Sequence, residues 1–459
     1  MGKRIIMNAF DMNGAMHNSH GLWKHPDSER HRYTELAYWA EMARLLERGR
    51  FDALFLADVV GIYDVYKQSR DPAIRDAVQV PLNDPALIVP AMAAVTEHLS
   101  FAVTVTTTYE HPYAHARRFS TLDHLTNGRI AWNIVTSYLP NAALNHGLDE
   151  MIKHDDRYEL ADEFLEVVYK LWEGSWEADA VVRDVVRGVY AEPDKVHRID
   201  HEGRFFTVPG PHLSEPSPQR TPVLYQAGSS ERGRDFAAKH AECVFVGGNS
   251  AASLRSNIEA IRNQAERLGR DPRRIKMFTG LNVIVGNTRA EADNKLKDYA
   301  ALWSGEAALA QFGGSSGYDL SAYAPDEYLA YKATDHGQSR AAQYTKHVPN
   351  RLTVMEVMER IGTLDRRQGR LLVGTPADIA DGMQEQLEET GLDGFNLAHL
   401  ITPGSLREFV DLVVPELQRR GIYQTGYAPG TLREKLFGAG NRLLPKDHAA
   451  SQYRRGESS

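Results

Sequence analysis

The chain has 459 residues, with 53 basic and 61 acidic side chains, a formal net charge of −8 and one cysteine. The acidic balance without a long basic run argues against nucleic acid or an anionic membrane as a partner, and the single Cys243 excludes an internal disulfide. No stretch approaches the ~18 uninterrupted apolar residues of a membrane span, so we expect a cytoplasmic protein.

Short apolar runs recur along the chain, and amphipathic helix patterns separate most of them. The runs cover residues 4–10, 51–58, 99–108, 129–137, 221–228, 241–248, 275–286 and 394–400. Continuous apolar strands between helices are typical of a parallel sheet that is buried on both faces. These runs and helices predict an α/β fold, a (β/α)8 TIM barrel with insertions.

Two intervals interrupt the alternation of strands and helices. Residues 138–220 carry one strong helix pattern and then a hairpin with loops, which predicts an insertion after the fourth strand. Residues 304–350 have weak periodicity and turn-forming residues, which predicts a mobile loop that serves as a lid. We expect one barrel domain over residues 1–435 with these two insertions. A polar tail, 436–459, is expected to pack on a partner subunit or to fray.

Polar residues follow the predicted strands at their C-terminal ends, where functional groups of such barrels lie. They are Asn13, His17, His20, Asp58, Tyr63, Thr106, Thr107, Thr108, Asn133, Thr136, Ser137, Ser229 and Ser230, together with Phe10 and Gly228. This clustering predicts a ligand site at that end of the barrel.

The segment VLYQAGSSERGRDFAAKH, residues 223–240, runs from a strand pattern through Gly228, Ser229 and Ser230 into a helix pattern. Free backbone N–H groups and the positive end of a helix dipole at such a turn suit a phosphate. The alternative is a plain N-cap by one of the serines. His154 and Tyr158, four residues apart, share a helix face, where they either point at the same anion or serve surface and packing roles.

Other enzyme classes lack their motifs in this sequence. Histidines near the first strand evoke metal-dependent barrel hydrolases, but H-x-H and H-E-x-x-H are absent, so no metal is predicted. The absence of G-x-S-x-G, G-x-G-x-x-G and G-x-x-x-x-G-K-[ST] disfavours a serine hydrolase, a dinucleotide fold and a nucleoside triphosphatase.

Longer blocks resemble one known family. RGRFDALFLAD, HARRFSTLDHLTNGRIAWNIVTS, HDDRYELADEFLEVVYKLWEGSW and SPQRTPVLYQAGSSERGRDFAAKHAECVF are similar to blocks of the bacterial-luciferase-like flavin monooxygenases. The branch resembled contains the nitrilotriacetate, dibenzothiophene-sulfone and dimethyl-sulfide monooxygenases, and the likeness runs in unbroken order from residue 3 to about residue 435.

The resemblance implies a cofactor and partners. The cofactor is FMN in its reduced form, supplied by a separate NAD(P)H:FMN reductase, and the enzyme is a homodimer or homotetramer that uses O2 on a small molecule. The residues implied to hold the FMN phosphate are Gly228, Ser229, Ser230 and Tyr158, with His154 close by. Those implied to line the ribityl chain and ring are Asp58, Thr106, Asn133 and Ser137.

The same resemblance places two catalytic candidates on the substrate side of the flavin, Phe10 and His20. We expect His20 to hydrogen-bond the activated oxygen or the substrate oxygen, with a pKa that allows proton transfer near neutrality. The alternative is that His20 only anchors its loop.

The first strand's loop bears on the substrate. It offers Met12, Met16, Trp23 and a single Lys24, which favours an apolar organosulfur or haloaromatic compound. An aminopolycarboxylate, which would favour several cationic side chains at the mouth, is the alternative within the family. Outside it, a metal-dependent barrel hydrolase and a non-catalytic flavin-binding protein remain open.

Overall fold

The computed structural model describes residues 4–228, 230–248, 250–332, 334–346, 348, 350–364 and 370–456. The strands are β1 (Ile6–Met12), β2 (Ala53–Ala57), β3 (Ser100–Thr106), β4 (Ile130–Val135), β5 (Val181–Asp184), β6 (Val189–Ala191), β7 (His201–Glu202), β8 (Thr207–Val208), β9 (Val223–Gln226), β10 (Cys243–Phe245), β11 (Lys276–Val285), β12 (Leu371–Gly374) and β13 (Gly394–Ala398).

The helices surround these strands. They are α1 (Leu36–Arg48), α2 (Asp71–Arg75), α3 (Val89–Ala93), α4 (Pro112–Leu125), α5 (Pro140–Asn145), α6 (His154–Tyr169), α7 (Glu231–His240), α8 (Ala251–Arg267), α9 (Arg289–Leu302), α10 (Gly305–Ser316), α11 (Gln338–Thr345), α12 (Val354–Gly362), α13 (Pro376–Thr390), α14 (Gly404–Glu408), α15 (Val414–Arg419) and α16 (Leu432–Phe437).

The strand pairing closes a barrel. Strands β1, β2, β3, β4, β9, β10, β11 and β13 pair in this order, all parallel, and β13 returns to β1. Each predicted apolar run supplies one of these strands, so the predicted (β/α)8 barrel is confirmed. An extra strand, β12, pairs with the second half of β11, outside the ring.

Alternation along β2 shows why both faces of the sheet are apolar. Leu54 and Leu56 point outward into the cluster that the surrounding helices form, whereas Phe55 points into the barrel. There it packs in one cluster with Tyr225 and Phe278 from opposite strands. The interior is thus a packed core, which leaves the loops at the strand ends to form the site.

The first insertion is more elaborate than predicted. After β4 it carries α5 and α6 and then two separate two-stranded antiparallel sheets, β5–β6 and β7–β8, where one hairpin was expected. Helix α6 packs between α4 and α7 and brings its N-terminal turn to the C-terminal end of the barrel.

The second insertion is helical, and the prediction of an irregular loop over 304–350 was wrong. Helices α10, α11 and α12 pack around their own buried cluster, which includes Phe312, Leu352 and Val357. The sequence of α10, GEAALAQFGGSS, shows no clear helical period of apolar residues because it is rich in alanine and glycine. The helix is nevertheless capped by Ser304, whose side chain accepts a hydrogen bond from the Ala307 N–H. We call residues 304–364 the helical cover.

The described part of the C-terminal tail makes contacts with the same chain, and its packing on a partner subunit stays a prediction. Arg454 pairs with the buried Glu173 at 2.7 Å, and the buried His448 donates from Nε2 to the carbonyl of His240. Just before the tail, Arg433 of α16 pairs with Glu242 under the barrel at 2.7 Å. Within the part of the chain that is described, no helix is both long and apolar enough to cross a membrane.

A buried histidine supplies a stability prediction. The ring of His115 lies 4.1 Å from Trp132, 4.5 Å from Phe119 and 5.2 Å from Phe164, between ring centroids. Neither ring nitrogen has a hydrogen-bond partner among the described residues, and burial lowers its pKa well below the ordinary value. We expect His115→Leu to raise the free energy of unfolding by about 1–2 kcal/mol, because it removes buried polar atoms that lack partners.

Urea unfolding measures this change. The exposed His31 provides the control, since His31→Leu should leave the unfolding free energy within about 0.5 kcal/mol. A His115→Leu protein that is less stable than the parent would show that the ring nitrogens do have partners.

Candidate functional site

A cavity of about 300 Å³ opens at the C-terminal ends of β2, β3, β4 and β9, between α6 and the helical cover. The predicted site residues in its wall are Asp58, Thr106, Ser137, His154, Tyr158, Gly228 and Ser230. Asn133 lies directly behind the wall, and Ser229 lies outside the described residues. The fold therefore gathers side chains from five distant stretches of sequence around one space.

One end of the cavity is formed by the start of α7. Ser230 caps the helix, because its Oγ accepts from the Gly233 N–H at 3.0 Å. A Cβ at Gly228 would lie 2.3 Å from Nε2 of Gln226 and 2.7 Å from the hydroxyl of Tyr158. A side chain here would have to displace both groups, whereas glycine lets the backbone face the cavity beside the positive end of the helix dipole.

Arg157 faces the same end and was not predicted. Its guanidinium donates to the carbonyls of Ile152 and Asp335, and its buried Nε has no partner among the described residues. Burial lowers the pKa of Arg157. The sequence signal was its place beside Tyr158 on the helix that sequence analysis had already singled out.

His154 begins α6 and ties it to the cover. Its backbone N–H donates to Oδ1 of Asp335 at 3.0 Å, and its ring Nδ1 lies 2.7 Å from Oδ1 of Asp155. Its ring lies 5.3 Å from that of Tyr158, so the predicted shared face exists.

The middle of the cavity offers hydroxyl and amide groups. Asn133 donates from Nδ2 to Oγ1 of Thr104 at 2.9 Å, and Ser137 donates to Oγ1 of Thr106 at 3.0 Å. Oδ1 of Asn133 and Oε1 of Gln226 are buried without partners among the described residues. Buried acceptors of this kind are costly unless a ligand or water supplies a donor.

Asp58 lies at the end of β2 on the cavity wall. Burial raises the pKa of its carboxyl to about 7, with a further rise from the charge of Asp84, although the Val59 N–H bonds to the carboxylate and favours its ionised form. The side chain can therefore hold or release a proton near neutral pH.

The two catalytic candidates lie beside the cavity, outside the set of residues that line it. The Phe10 ring packs at the barrel mouth, 4.3 Å from His17 and 5.4 Å from Phe245. His20 is buried against Trp303, and burial lowers its pKa to about 3. Desolvation of this kind favours the neutral ring and so disfavours proton transfer by His20 near neutrality. The catalytic role of His20 stays a prediction.

A tyrosine network connects the cavity to His20. The Tyr63 hydroxyl donates to Oε1 of Gln79 at 2.8 Å and lies 2.7 Å from the hydroxyl of Tyr138, which lines the cavity. Gln311 of the cover donates from Nε2 to Oδ1 of Asn18 at 3.1 Å and lies near both Tyr63 and His20. Burial raises the pKa of both tyrosines, so each stays a neutral phenol that can donate a hydrogen bond.

The arrangement suits a ligand with an anionic end and a polyol middle. The glycine turn and Arg157 supply donors at one end, and the unpaired acceptors of Asn133 and Gln226 await donors in the middle. Apolar residues complete the wall, among them Val59, Ile134, Leu139, Ala142 and Phe236. Across the described residues, no three His, Cys, Asp or Glu side chains group in a way that would hold a metal ion.

Fold and site together define a (β/α)8-barrel enzyme with a covered polar cavity at the C-terminal ends of its strands. Residues 16–394 match the family of luciferase-like monooxygenases, and the chain belongs to that family. The family and the enzyme class expected from the sequence are thereby confirmed.

Individual relatives match over nearly the whole chain. A long-chain alkane monooxygenase of Geobacillus thermodenitrificans (strain NG80-2) is 57% identical over 454 residues, which cover 99% of each protein. A dimethyl-sulfide monooxygenase of Hyphomicrobium sulfonivorans is 50% identical over 458 residues, covering 99% of this chain and 94% of that protein. The crystal structure of a riboflavin lyase with modified FMN and riboflavin superposes with a TM-score of 0.93 at 39% identity, covering 99% of this chain and 100% of the other. The expected flavin cofactor agrees with that structure.

Proposed function

We propose that the protein is the oxygenase component of a two-component system, which uses reduced FMN and O2 to oxidise a small organic molecule. The observation that carries this proposal is the glycine turn at Gly228, where backbone donors, the start of α7, Tyr158 and Arg157 converge on one end of the cavity. Such an end suits the dianionic phosphate of FMN.

The remaining groups fit the rest of the cofactor. The Thr106 and Ser137 hydroxyls and the amides of Asn133 and Gln226 would bond the ribityl chain, and the apolar wall would hold the ring. Asp58 would face the ring as a carboxyl that is half protonated near neutral pH. Reduced FMN, when bound, would supply the electrons that activate O2.

The chain's own residues would keep water from the reaction and orient the oxygen. The helical cover closes over the cavity with His336, Gly337 and Arg340, which limits access of bulk water. Because Tyr63 gives its proton to Gln79, the Tyr138 hydroxyl donates to Tyr63 and would offer its oxygen as an acceptor to the substrate side of the cavity. His20 would support this network as a neutral ring, with Phe10 as an apolar contact at the mouth.

The relatives indicate the type of reacting group. Their names specify a long-chain alkane, dimethyl sulfide and, at 38% identity, dibenzothiophene sulfone. We propose that the carbon or sulfur atom oxidised here lies in an apolar part of the substrate, next to Val59, Val60 and Leu139. An aminopolycarboxylate remains the second candidate, because a nitrilotriacetate monooxygenase is 36% identical. We further propose a cytoplasmic homodimer or homotetramer that receives reduced FMN from an NAD(P)H:FMN reductase.

A coupled assay tests the function. The protein is mixed with FMN, NADH and a general flavin reductase and offered alkanes, sulfides, aryl sulfones, chloroaromatics and aminopolycarboxylates under isotopically labelled O2. We expect one labelled oxygen atom in the product of one class. NADH consumption that yields only hydrogen peroxide with every class, or no saturable uptake of dithionite-reduced FMN, would contradict the proposal.

A further inference from the structure

Arg340 is a cation of the helical cover that faces the cavity without a counter-ion. It lies on the first turn of α11, where its backbone N–H bonds to the carbonyl of Gly337, and its side chain lines the cavity. The guanidinium is half-buried, and no hydrogen bond or ion pair to it occurs among the described residues. By contrast, the fully buried Arg157 bonds backbone carbonyls and the fully buried Arg433 bonds the carboxylate of Glu242.

A second arginine strengthens the positive charge there. Arg370 precedes β12, and its described hydrogen bond is a 3.3 Å contact from Nη2 to the carbonyl of Gly248. Burial and the nearby charge of Arg340 lower the pKa of Arg370 to about 10. The charge of Arg340 thus reaches Arg370, and no carboxylate is bonded to either guanidinium group in the described parts of the chain.

Arg340 lines the same cavity as the glycine turn, but its charge reaches a different set of side chains. The charge of Arg340 acts on His20, Tyr63 and Tyr138, the side chains of the tyrosine network. The charge of Arg157 acts instead on Tyr109 and Tyr158. The phosphate of FMN has its own donors at Gly228 and Arg157, so it does not account for Arg340.

We propose that Arg340, with Arg370 behind it, binds an oxyanion group of the substrate, a carboxylate or a sulfonate. A planar guanidinium binds such a group with two parallel hydrogen bonds, and an anion would supply the counter-charge that Arg340 lacks among the described residues. This inference rests on the proposed function and deepens it. The substrate is amphiphilic, with its charged group under the cover and its reacting atom on the apolar wall.

The first strand's loop, which carries a single lysine, had favoured a wholly apolar substrate. That loop forms only one side of the barrel mouth, whereas Arg340 lies in an insertion about 300 residues further along the chain. The apolar wall of Val59, Val60 and Leu139 still accepts hydrocarbon, so the two features describe two parts of one molecule.

Binding of two matched probes tests the inference. Hexanoate and hexanamide differ in charge and hardly in shape, and isothermal titration measures each against the FMN-loaded protein. We expect the parent to bind hexanoate at least about tenfold more tightly than hexanamide, and Arg340→Met to abolish that preference. Arg340→Lys should keep part of it, because the charge remains while the fork is lost.

The controls separate this inference from the function on which it rests. Arg351→Met makes the same change on an exposed arginine of the cover, which lies over the Tyr328 ring, and should keep the tenfold preference. FMN affinity, titrated separately, should change less than about twofold in Arg340→Met. Equal binding of the two probes by the parent, weak or tight, would overturn the inference. A loss of FMN affinity in Arg340→Met would do so too, since it would assign Arg340 to the flavin. Failure of the parent to bind FMN would instead refute the proposed function.

Discussion

Gly228→Ala is expected to weaken binding of reduced FMN by at least about 100-fold. The new methyl group would lie 2.3 Å from Nε2 of Gln226 and 2.7 Å from the Tyr158 hydroxyl, closer than real Cβ contacts come. Both side chains would have to leave the positions in which they face the ligand, at a cost of about 3 kcal/mol in lost charge-assisted hydrogen bonds. Anaerobic titration with dithionite-reduced FMN measures the affinity directly.

Gly426 provides the matched control. A Cβ there meets nothing within 4 Å, so Gly426→Ala should bind FMN as the parent does. Melting temperature and far-UV circular dichroism show whether each variant is folded. A folded Gly228→Ala protein with unchanged affinity would mean that the phosphate does not lie at this turn.

The parent protein is expected to lose stability as the pH rises, and Asp58→Asn is expected to abolish that loss. Burial raises the pKa of Asp58 to about 7 in the folded protein, against about 4 in an unfolded chain, so ionisation opposes folding. The stability that comes from the protonated form is complete below about pH 4 and is lost as the pH rises through 7. Between pH 5 and pH 8 the parent should lose about 2 kcal/mol relative to Asp58→Asn, a value reduced for the partial access of water to this half-buried group.

Urea unfolding of the FMN-free proteins at pH 5 and pH 8 gives the difference in unfolding free energy between the parent and Asp58→Asn at each pH. Asp149→Asn, the same change at an exposed position, should follow the parent at both pH values. Parallel stability curves for the parent and Asp58→Asn would show that Asp58 ionises as an ordinary surface carboxyl does.

The sequence predicts the barrel and one wall of its cavity for a simple reason. Strands buried on both faces must be continuously apolar, so they are visible as short runs, and the residues that follow them must meet at one end of the sheet. Asp58, Thr106 and Ser137 were identified in this way, and each lines the cavity. Their assignment to parts of FMN stays a prediction.

The rest of the cavity depends on contacts between distant segments. Arg340 and Gln311 lie on helices whose small residues conceal the period, so nothing in their local sequence places them over the barrel. The pairing of Tyr63 with Gln79 and Tyr138 comes from loops that meet only after the barrel has closed. The low pKa of His20 arises from burial beneath the cover, which a strand-end position does not indicate.

Asp335 connects the helical cover to the end of the cavity that the glycine turn forms. The carboxylate of Asp335 accepts a hydrogen bond from the first N–H of α6. Its backbone carbonyl accepts one from Arg157, the cation that faces the glycine turn. By thermodynamic linkage, a ligand that binds Arg157 changes the stability of the hydrogen bonds at Asp335. Weakening those hydrogen bonds changes the affinity for that ligand by the same factor. The proposed transfer of reduced FMN from a reductase would therefore require these hydrogen bonds to break and to re-form once FMN is bound.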